Sequence, residues 1–380
     1  MTDARSMTRL LMNRAGFQTM KVDTVDAPQA SDGEVVLALD RFSLTVNNLT
    51  YAVFGDELRY WDFFPTGVEG FGLLPVWGYA DVVESKAEGV EAGQRFFGYF
   101  PSATHLVVQP GKTGGRSFRD ESAHRRDLPE VYNWYQRSDN DPFQTEAVEP
   151  LHAIFRPLFV TAFGLSDFLA ENEFFDAEQV VISSASSRTG YSEAFSIGLQ
   201  RAAHDSNIEV IGLTSAGHRD FVEGLGLYSS VLAYDDLDQL DSTRKSVYVD
   251  IAGNTDLQRR VHERLGDHLV HDAALGASHA ADHGHQPPQP DADLPGPAPQ
   301  FFFAPVWVAR RQEEWGSEEF NRRVGEAVAA FFEHVMKHKL IDIQEQGGFD
   351  AAREVLTEML GGRSDPAVGH VIRVSGDGAG

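Results

Sequence analysis

The segment Gln179–Gly190, QVVISSASSRTG, constrains the fold of this chain more than any other. An apolar run typical of a strand leads directly into a turn rich in serine and glycine, and phosphate-binding loops are built in this way. A helical run, Tyr191–His204, and a second apolar strand, Glu209–Leu213, follow the turn. This unit has about the length that a mononucleotide fold needs, so it predicts a nucleotide or another phosphorylated ligand.

Composition and charge exclude several classes of function. The chain has 380 residues, no cysteine and a formal net charge of −25. Without cysteine there can be no disulfide, thiolate zinc site or cysteine nucleophile. The negative charge would repel nucleic acid, so we expect a small-molecule substrate as the partner. We also expect a cytoplasmic protein with no membrane segment, because no apolar run in the sequence is expected to reach the ~18 residues of a spanning helix.

Residues 1–150 are predicted to form a β-rich domain. Short runs of β-forming residues alternate with glycine, proline and polar clusters, and this spacing suggests a small barrel. Residues 110–150 form an irregular excursion, polar and aromatic without a clear period, which could be a lid, an oligomer contact or a plain surface segment. The predicted strands are Glu34–Phe42, Trp77–Ser85, Arg95–Phe100 and His105–Gln109.

Residues 151–300 show the alternation of helices and strands that is typical of a parallel sheet. A Pro- and His-rich insertion at about 280–300 is interpreted as a surface loop, and the irregular spacing of His283 and His285 does not indicate a specific metal site. Residues 301–380 are predicted to close the sheet or to pack on the first domain. The expected elements are a helix at Leu158–Ala170, a strand that begins at Gln179, strands at Glu209–Leu213, Ser230–Ala233, Ser246–Ile251 and Phe301–Val308, and a helix at Ser317–His338.

The order of these features resembles the medium-chain dehydrogenase/reductase superfamily, particularly its zinc-free quinone oxidoreductase and enoyl reductase branches. The segment GQRFFGY, Gly93–Tyr99, ends the β-rich half before the nucleotide-binding half begins. Four blocks resemble more narrowly an uncharacterised bacterial branch of unknown function. They are Phe42–Asp56, Pro75–Val82, Tyr99–Val108 and Ser183–Gly190. The resemblance implies an α/β protein with a GroES-like β-barrel domain and a Rossmann domain, a doubly wound parallel sheet.

The resemblance also assigns candidate cofactor residues in the first turn. Ser187 and Arg188 stand where the superfamily usually has consecutive glycines beside the pyrophosphate, while Gly190 keeps the close approach of helix to sheet. Ser184, Ser186, Ser187 and Arg188 are therefore candidate phosphate donors. The alternative is a hydrogen-bonded turn with an exposed Arg188, in a fold that has lost its cofactor.

The second turn favours NADP(H) as the cofactor. Leu213 is followed by Thr-Ser-Ala-Gly-His-Arg, with no carboxylate to accept from the ribose of NAD. Ser215 and Arg219 could instead bind a 2′-phosphate, or they could be a helix cap and a solvated side chain. Further along, Gly253 would permit a close approach of the ring or the backbone, and the nearby Asp250 is interpreted as structural. His279 lies where the chain would return to the cofactor cleft, in a catalytic or a structural role.

Tyr51 is the candidate catalytic residue of the front half. The resemblance places it where quinone reductases have a cleft tyrosine that could hydrogen-bond a substrate carbonyl, with Asn47 or Asn48 positioning the same oxygen. The alternative is a loop whose asparagines stabilise turns and whose tyrosine packs at the domain edge. For the four aromatic side chains nearby, we expect a place in the barrel core rather than in a pocket wall. They are Trp61, Phe63, Phe64 and Trp77.

These inferences lead to two functional hypotheses. The first is a zinc-independent, NADP(H)-dependent reductase of a quinone or an α,β-unsaturated carbonyl compound, since hydride transfer to such acceptors needs no metal. The second is a non-redox lyase or ligand-binding protein on the same scaffold, with an altered dinucleotide site. By analogy with the superfamily, we expect a homodimer.

Overall fold

The computed structural model describes residues 6–139, 145–275 and 294–374. The chain divides into two compact units, of which the first comprises Met1–Ile154 together with Ile343–Gly380 and the second comprises Phe155–Asp342. The C-terminal segment therefore belongs to the same unit as the N-terminal half.

The first unit is β-rich. Its strands are β1 (Ser6–Asn13), β2 (Met20–Asp26), β3 (Val35–Leu44), β4 (Phe71–Leu73), β5 (Pro75–Ser85), β6 (Arg95–Pro101), β7 (His105–Val108), β8 (Pro110–Gly114), β9 (Ser117–Asp120), β10 (Trp134–Arg137), β17 (Asp342–Gly347) and β18 (Val368–Arg373). A small sheet has the order β2-β1-β4, and a large one has the order β17-β18-β3-β5-β6-β10-β9-β8, with β7 also paired to β3. The helices α1 (Asn47–Val53) and α8 (Gly348–Leu360) complete this unit.

The predicted strands of the front half are confirmed as β3, β5, β6 and β7, with small shifts at their ends. The N-terminal strands β1 and β2 were not predicted. The side chains of β2, MKVDTVD, are mostly exposed, so they lack the alternation of buried and exposed positions on which a strand prediction depends. The irregular excursion also contains strands, because β10 pairs with β6 and β9 pairs with β10.

The second unit is built on one parallel sheet. Its strands are β11 (Gln179–Ile182), β12 (Glu209–Thr214), β13 (Ser230–Ala233), β14 (Ser246–Asp250), β15 (Leu269–Ala274) and β16 (Gln300–Phe301). They lie in the order β13-β12-β11-β14-β15-β16 and all neighbouring pairs are parallel. Numbered along the chain, this is the order 3-2-1-4-5-6 of a doubly wound dinucleotide-binding fold, as predicted.

Burial explains why the central strands could be predicted from the sequence. Every residue of β11 and β14 is buried, as in a sheet that is covered on both faces. The apolar runs therefore continue through the whole strand instead of alternating. The second unit contains the helices α3 (Arg188–His204), α4 (Arg219–Gly224), α5 (Thr255–Leu265), α6 (Ala304–Trp315) and α7 (Ser317–His338).

One predicted strand was wrong. Phe301–Val308 was expected to return to the sheet, but β16 ends at Phe301 and α6 begins at Ala304. Pro305 lies in the first turn of α6, where its fixed φ angle suits a helix and its missing N–H is not needed. The aromatic residues before this proline look like a strand, and the proline is the signal that ends it.

The helix α2 (Glu149–Glu171) corrects our expectation about apolar runs. It has the length and composition of a membrane-spanning helix, and 61% of its most apolar window is buried inside the protein. The core helix of a folded protein meets the same criteria, so a single helix of this kind is weak evidence for a membrane. Its predicted bounds, Leu158–Ala170, were too short because the helix begins nine residues earlier.

Candidate functional site

The first turn of the second unit joins β11 to α3. Ser187 is the N-cap of α3, and its Oγ accepts a hydrogen bond of 3.1 Å from the backbone N–H of Gly190. Ser184 has a left-handed backbone, with φ of +52°, and its N–H donates to the hydroxyl of Tyr234 at 3.1 Å. The turn is thus held at its cap and at its strained residue, and it presents the N-terminus of a helix of 17 residues.

Gly190 is required for the close approach of α3 to this turn. A Cβ atom at position 190 would lie 2.5 Å from the carbonyl oxygen of Ser184 and 3.1 Å from the Cα of Ala185. Backbone atoms cannot move aside as a flexible side chain can, so only glycine fits here. The close approach at Gly190 therefore joins α3 to its own turn, whereas the sequence predicted a close approach of the helix to the sheet.

Arg188 is buried, contrary to the exposed side chain of the alternative interpretation. It is the first residue of α3 and only 5% of its surface is exposed. Burial raises the pKa of Tyr191, and the Arg188 cation acts on that pKa in the opposite direction, so the two side chains are neighbours inside the unit. Removing the Arg188 side chain would therefore leave a space, which an exposed side chain would not do.

The second turn lies beside the first. The Oγ of Ser186 is 3.4 Å from Nδ1 of His218, so residues that follow β11 and β12 meet. Ser215 precedes a short 3-10 turn, and its side chain makes no capping hydrogen bond.

Arg219 has two acidic neighbours, one from its own helix and one from a more distant segment. Its side chain is 40% exposed and pairs with Glu223 at 2.9 Å and with Asp236 at 3.6 Å. Asp236 arrives from the segment that follows β13, and Glu223 lies one turn further along α4. The six residues after Leu213 contain no carboxylate, but in the folded protein two carboxylates from outside that stretch reach Arg219.

A third loop follows β14. Gly253 has a positive φ of +61°, which favours glycine, and its N–H donates to Oδ1 of Asp250 at 3.1 Å. Asp250 is 97% buried at the end of its strand, as expected of a structural residue. His279, the last candidate cofactor residue, lies outside the described residues.

In the first unit, the structure brings Tyr51 and Asn47 together. Both lie in α1, and the Asn47 side chain hydrogen-bonds to the Tyr51 hydroxyl. The same hydroxyl accepts a hydrogen bond of 3.0 Å from Nε1 of Trp77. Burial raises the pKa of Tyr51, so its phenol stays protonated at physiological pH.

Asn48 is used differently. Its Oδ1 accepts from the N–H of Thr45 at 2.8 Å, and its Nδ2 donates to the carbonyl oxygen of Pro75 at 2.9 Å. The side chain is buried. These contacts agree with the alternative in which the asparagine stabilises the local backbone.

Sequence reasoning missed the contribution of the irregular excursion to the surroundings of Tyr51. Tyr132 packs edge-on against Tyr51, with 6.4 Å between ring centroids, and its hydroxyl lies 3.1 Å from that of Tyr60. Arg125 lies behind this cluster in a buried pair with Asp120 at 2.8 Å. No local sequence pattern identifies these residues, because a segment rich in aromatic and charged residues without a period looks like an exposed loop.

Of the four aromatic residues expected in the core, Trp61, Phe63 and Phe64 are buried and Trp77 is partly buried.

The next feature is the grouping of possible metal ligands within the described ranges 6–139, 145–275 and 294–374. There, no group of three or more histidine, aspartate or glutamate side chains could hold a metal ion. The described side chains thus offer no candidate metal centre.

Comparison with known proteins decides the family. A family model described as "Protein of unknown function (DUF2855)" matches residues 42–365. The chain belongs to this family. No curated protein matches the chain.

Solved structures show which fold the family has. CurA in complex with NADPH from Vibrio vulnificus is 13% identical, with a TM-score of 0.59, and the match covers 97% of this chain and 100% of CurA. A candidate NADPH:quinone reductase from Mesorhizobium loti is 13% identical, with a TM-score of 0.57 and coverages of 98% and 100%. A mutant form of enoyl thioester reductase from Candida tropicalis is 10% identical, with a TM-score of 0.56 and coverages of 97% and 99%.

These similarities span the whole chain at low identity, so they establish the fold and not the activity. They confirm the predicted combination of a GroES-like unit and a Rossmann unit. The family model agrees with the predicted branch of unknown function, and the solved structures agree with the predicted superfamily in their fold alone.

Proposed function

We propose that this protein is a zinc-independent, NADP(H)-dependent reductase of a quinone or an α,β-unsaturated carbonyl compound. One observation carries the proposal: a capped, serine-rich turn opens α3 at the carboxyl end of β11, where the strand order of the parallel sheet reverses. Dinucleotides bind at this place in doubly wound sheets, and helix N-termini attract phosphate.

The residues of the first turn fit a dinucleotide in two respects. Gly190 keeps the turn and the helix close together, since a Cβ would collide with the Ser184 carbonyl. The hydroxyls of Ser186 and Ser187 and the guanidinium of Arg188 would hold the pyrophosphate. Gly253 would allow close approach at the neighbouring loop. Ser187 and Arg188 stand in place of the usual glycines, so their side chains would bind phosphate where backbone N–H groups usually do.

Tyr51 is the proposed catalytic residue. A bound NADPH would supply the hydride, and the task of the protein would be to polarise the carbonyl oxygen that gains negative charge. Because Trp77 donates to the Tyr51 oxygen and Asn47 also hydrogen-bonds there, the phenol proton of Tyr51 is left to donate to that oxygen. Asn47 would act by orienting Tyr51, and Asn48 by holding the backbone of α1.

Cofactor preference would depend on the second turn. Ser215 and Arg219 would bind the 2′-phosphate of NADPH, and His218 would lie beside it near Ser186. The pairs of Arg219 with Glu223 and Asp236 weaken this preference, because the guanidinium is already partly neutralised. The preference for NADPH over NADH is therefore expected to be modest.

The burial of Arg188 favours a second candidate function, a non-redox lyase or a ligand-binding protein. A buried arginine at the first residue of α3 could fill the space in which the superfamily places the cofactor. The substitution Arg188→Met keeps most of the side-chain volume and removes the charge. Weaker NADPH binding in this variant supports the reductase, whereas a gain in affinity supports the second function.

The proposal is tested by titrating the purified protein with NADPH and with NADH, followed by fluorescence. Oxidation of bound NADPH is then followed at its absorption band with quinones and with conjugated enones as acceptors. We expect tighter binding of NADPH and turnover with one acceptor class. Failure to bind either cofactor would remove the reductase and leave the second function.

A further inference from the structure

Ser183 and Asp250 form a bridge between two neighbouring strands of the parallel sheet. The Ser183 hydroxyl donates to Oδ1 of Asp250 at 2.9 Å. The same hydroxyl oxygen accepts the N–H groups of Ile251 at 2.9 Å and Ala252 at 3.0 Å. The Ser183 side chain therefore links the end of β11 to the loop that follows β14. It bonds to the Asp250 carboxylate and to the backbone of that loop.

One oxygen of the Asp250 carboxylate, Oδ1, accepts three hydrogen bonds. Besides Ser183, Oδ1 of Asp250 accepts the Gly253 N–H at 3.1 Å and the Tyr248 hydroxyl at 3.2 Å. Gly253 has the positive φ that lets the loop turn back to this oxygen. The conformation of the 250–253 loop thus depends on an acceptor with the strength of a carboxylate.

The bridge lies at a functional position of the sheet. Strands β11 and β14 are adjacent, and the order of the strands reverses between them. Ser183 immediately precedes the turn that contains Ser184 and Ser187. A change in the bridge would therefore be transmitted directly to both loops that border the proposed dinucleotide crevice.

The carboxylate of Asp250 faces other titratable groups. Tyr248 lies on its own strand, and Asp272 on β15 is the register partner of Tyr248. From α5, His262 lies 2.8 Å from Asp272 and Gln258 donates to Asp272 at 3.0 Å. Tyr234, which holds the Ser184 N–H, also interacts with Asp250.

These surroundings bring the titration of Asp250 close to neutral pH. Burial is the largest cause, and the Asp272 carboxylate adds to it, so that the pKa of Asp250 rises to about 6. The hydrogen bonds from Ser183, Gly253 and Tyr248 act in the opposite direction. For His262, burial lowers the pKa, but the hydrogen bonds to Asp272 and to the Pro295 carbonyl and the charges of Asp272 and Asp250 together outweigh it, so the net shift is upward.

We propose that Asp250 is a positioning residue that couples dinucleotide binding to protonation: its carboxylate holds Ser183 and Gly253 in the binding geometry, and its protonation loosens both loops. This inference rests on the proposed function, because the ligand is the dinucleotide. Asp250 does not touch the reacting atoms. It acts through the first turn and the Gly253 loop.

The first test needs no cofactor. In the full-length protein, the amide resonance of Gly253 is followed by NMR between about pH 5 and pH 8, the range around the Asp250 titration. We expect a titration in wild type and none in Asp250→Asn, which keeps an oxygen acceptor but cannot ionise. A flat Gly253 resonance in wild type would overturn the inference.

The second test measures NADP⁺ affinity by calorimetry over the same pH range. The 2′-phosphate itself titrates near pH ~6, but it does so equally with every variant. Between high and low pH, we expect wild type to lose about tenfold more affinity than Asp250→Asn. A tenfold loss is what results if dinucleotide binding lowers the pKa of Asp250 by about one unit. The exposed Asp256→Asn variant, on α5, serves as the matched control and should behave as wild type.

A charge-specific variant separates positioning from a merely structural role. Asp272→Asn removes the neighbouring negative charge, so the loss of affinity should move to lower pH while binding near pH ~8 is retained. Equal pH dependence in wild type, Asp250→Asn and Asp272→Asn would overturn the coupling and leave the reductase proposal standing. No binding to wild type at any pH would overturn the reductase proposal and the coupling together.

Discussion

A Cβ atom on Gly190 would lie 2.5 Å from the carbonyl oxygen of Ser184, so the helix α3 can approach its own N-terminal turn only through glycine. The contact joins a helical residue to a residue of left-handed backbone. The geometry of the candidate phosphate-binding turn depends on this approach.

The variant Gly190→Ala is expected to destabilise the protein by about 1–3 kcal/mol, because the added methyl group forces backbone atoms apart. It should also weaken NADPH binding, since the turn must shift. Gly198→Ala is the matched control: this glycine is an exposed residue of the same helix with no heavy atom within 4 Å of a new Cβ. Alanine there should raise stability by up to about 1 kcal/mol. Thermal unfolding and a cofactor titration measure both effects, and equal behaviour of the two variants contradicts the prediction.

Removal of the Tyr51 hydroxyl tests the catalytic assignment. Tyr51→Phe should lower kcat by about 100-fold to 1000-fold, the usual effect of losing one donor to a developing oxyanion, with little change in NADPH affinity. Trp77→Phe removes one donor to the Tyr51 oxygen and should have a smaller effect.

Tyr132→Phe is the control for this series. It removes a buried phenol in the same cluster, whose hydroxyl contacts Tyr60 and not Tyr51. Its stability should fall about as much as that of Tyr51→Phe while turnover is retained. An active Tyr51→Phe enzyme would show that the plain structural interpretation of this tyrosine is right.

The acidic neighbours of Arg219 predict how cofactor preference can be changed. Asp236→Asn releases the guanidinium from one of its two partners and should raise the affinity for NADPH relative to NADH. Arg219→Ala should lower the same ratio, by about tenfold if a charge-assisted hydrogen bond to the 2′-phosphate is lost. Both ratios are measured by fluorescence titration at low and high salt. If neither substitution changes the ratio, the second turn does not bind the 2′-phosphate.

Glu193 makes stability depend on pH. It is fully buried in α3, and neither carboxyl oxygen has a hydrogen-bond partner among the residues that the structure describes. Burial raises the pKa of this carboxyl well above its ordinary value. As the pH rises, the unfolded chain ionises Glu193 first, so the free energy of unfolding decreases, by up to about 1.4 kcal/mol per pH unit, until the folded protein ionises too.

Glu193→Gln removes this dependence. The variant should exceed wild type in stability by an amount that grows between about pH 4 and pH 8, and the two proteins should converge at the acidic end. Chemical denaturation at several pH values gives the difference. Glu263→Gln, at an exposed position on α5, should show almost none. A difference that stays constant with pH would mean that Glu193 is ionised in the folded protein.

Much of the second unit could be predicted because its signals are local. The strands β11, β12, β13 and β14 are short apolar runs bounded by turn residues, and the predicted bounds of the last three differ from the observed ones by at most one residue. Alternation with helices then implies parallel pairing. The β-rich front half was harder, since β2 is exposed and the strands of the excursion carry no regular pattern.

In the candidate site too, some residues could be identified from the sequence and others could not. Ser187 and Gly190 could be identified from the sequence, since a capping serine and a close-packed glycine lie three residues apart in one turn. By contrast, Asp236 reaches Arg219, and Tyr132 reaches Tyr51, from distant parts of the chain. Sequence spacing carries no signal for such contacts.

By itself, the sequence determined the fold class, the position of the serine-rich turn and the absence of cysteine chemistry, because each depends on local pattern or composition. Only the tertiary structure decided that Arg188 and Glu193 are buried, that Arg219 is paired with acids and that Ser183 meets Asp250. The physical reason is that burial and charge pairing are properties of neighbours in space. They shift a pKa or occupy a guanidinium only after strands and helices far apart in the chain have packed together.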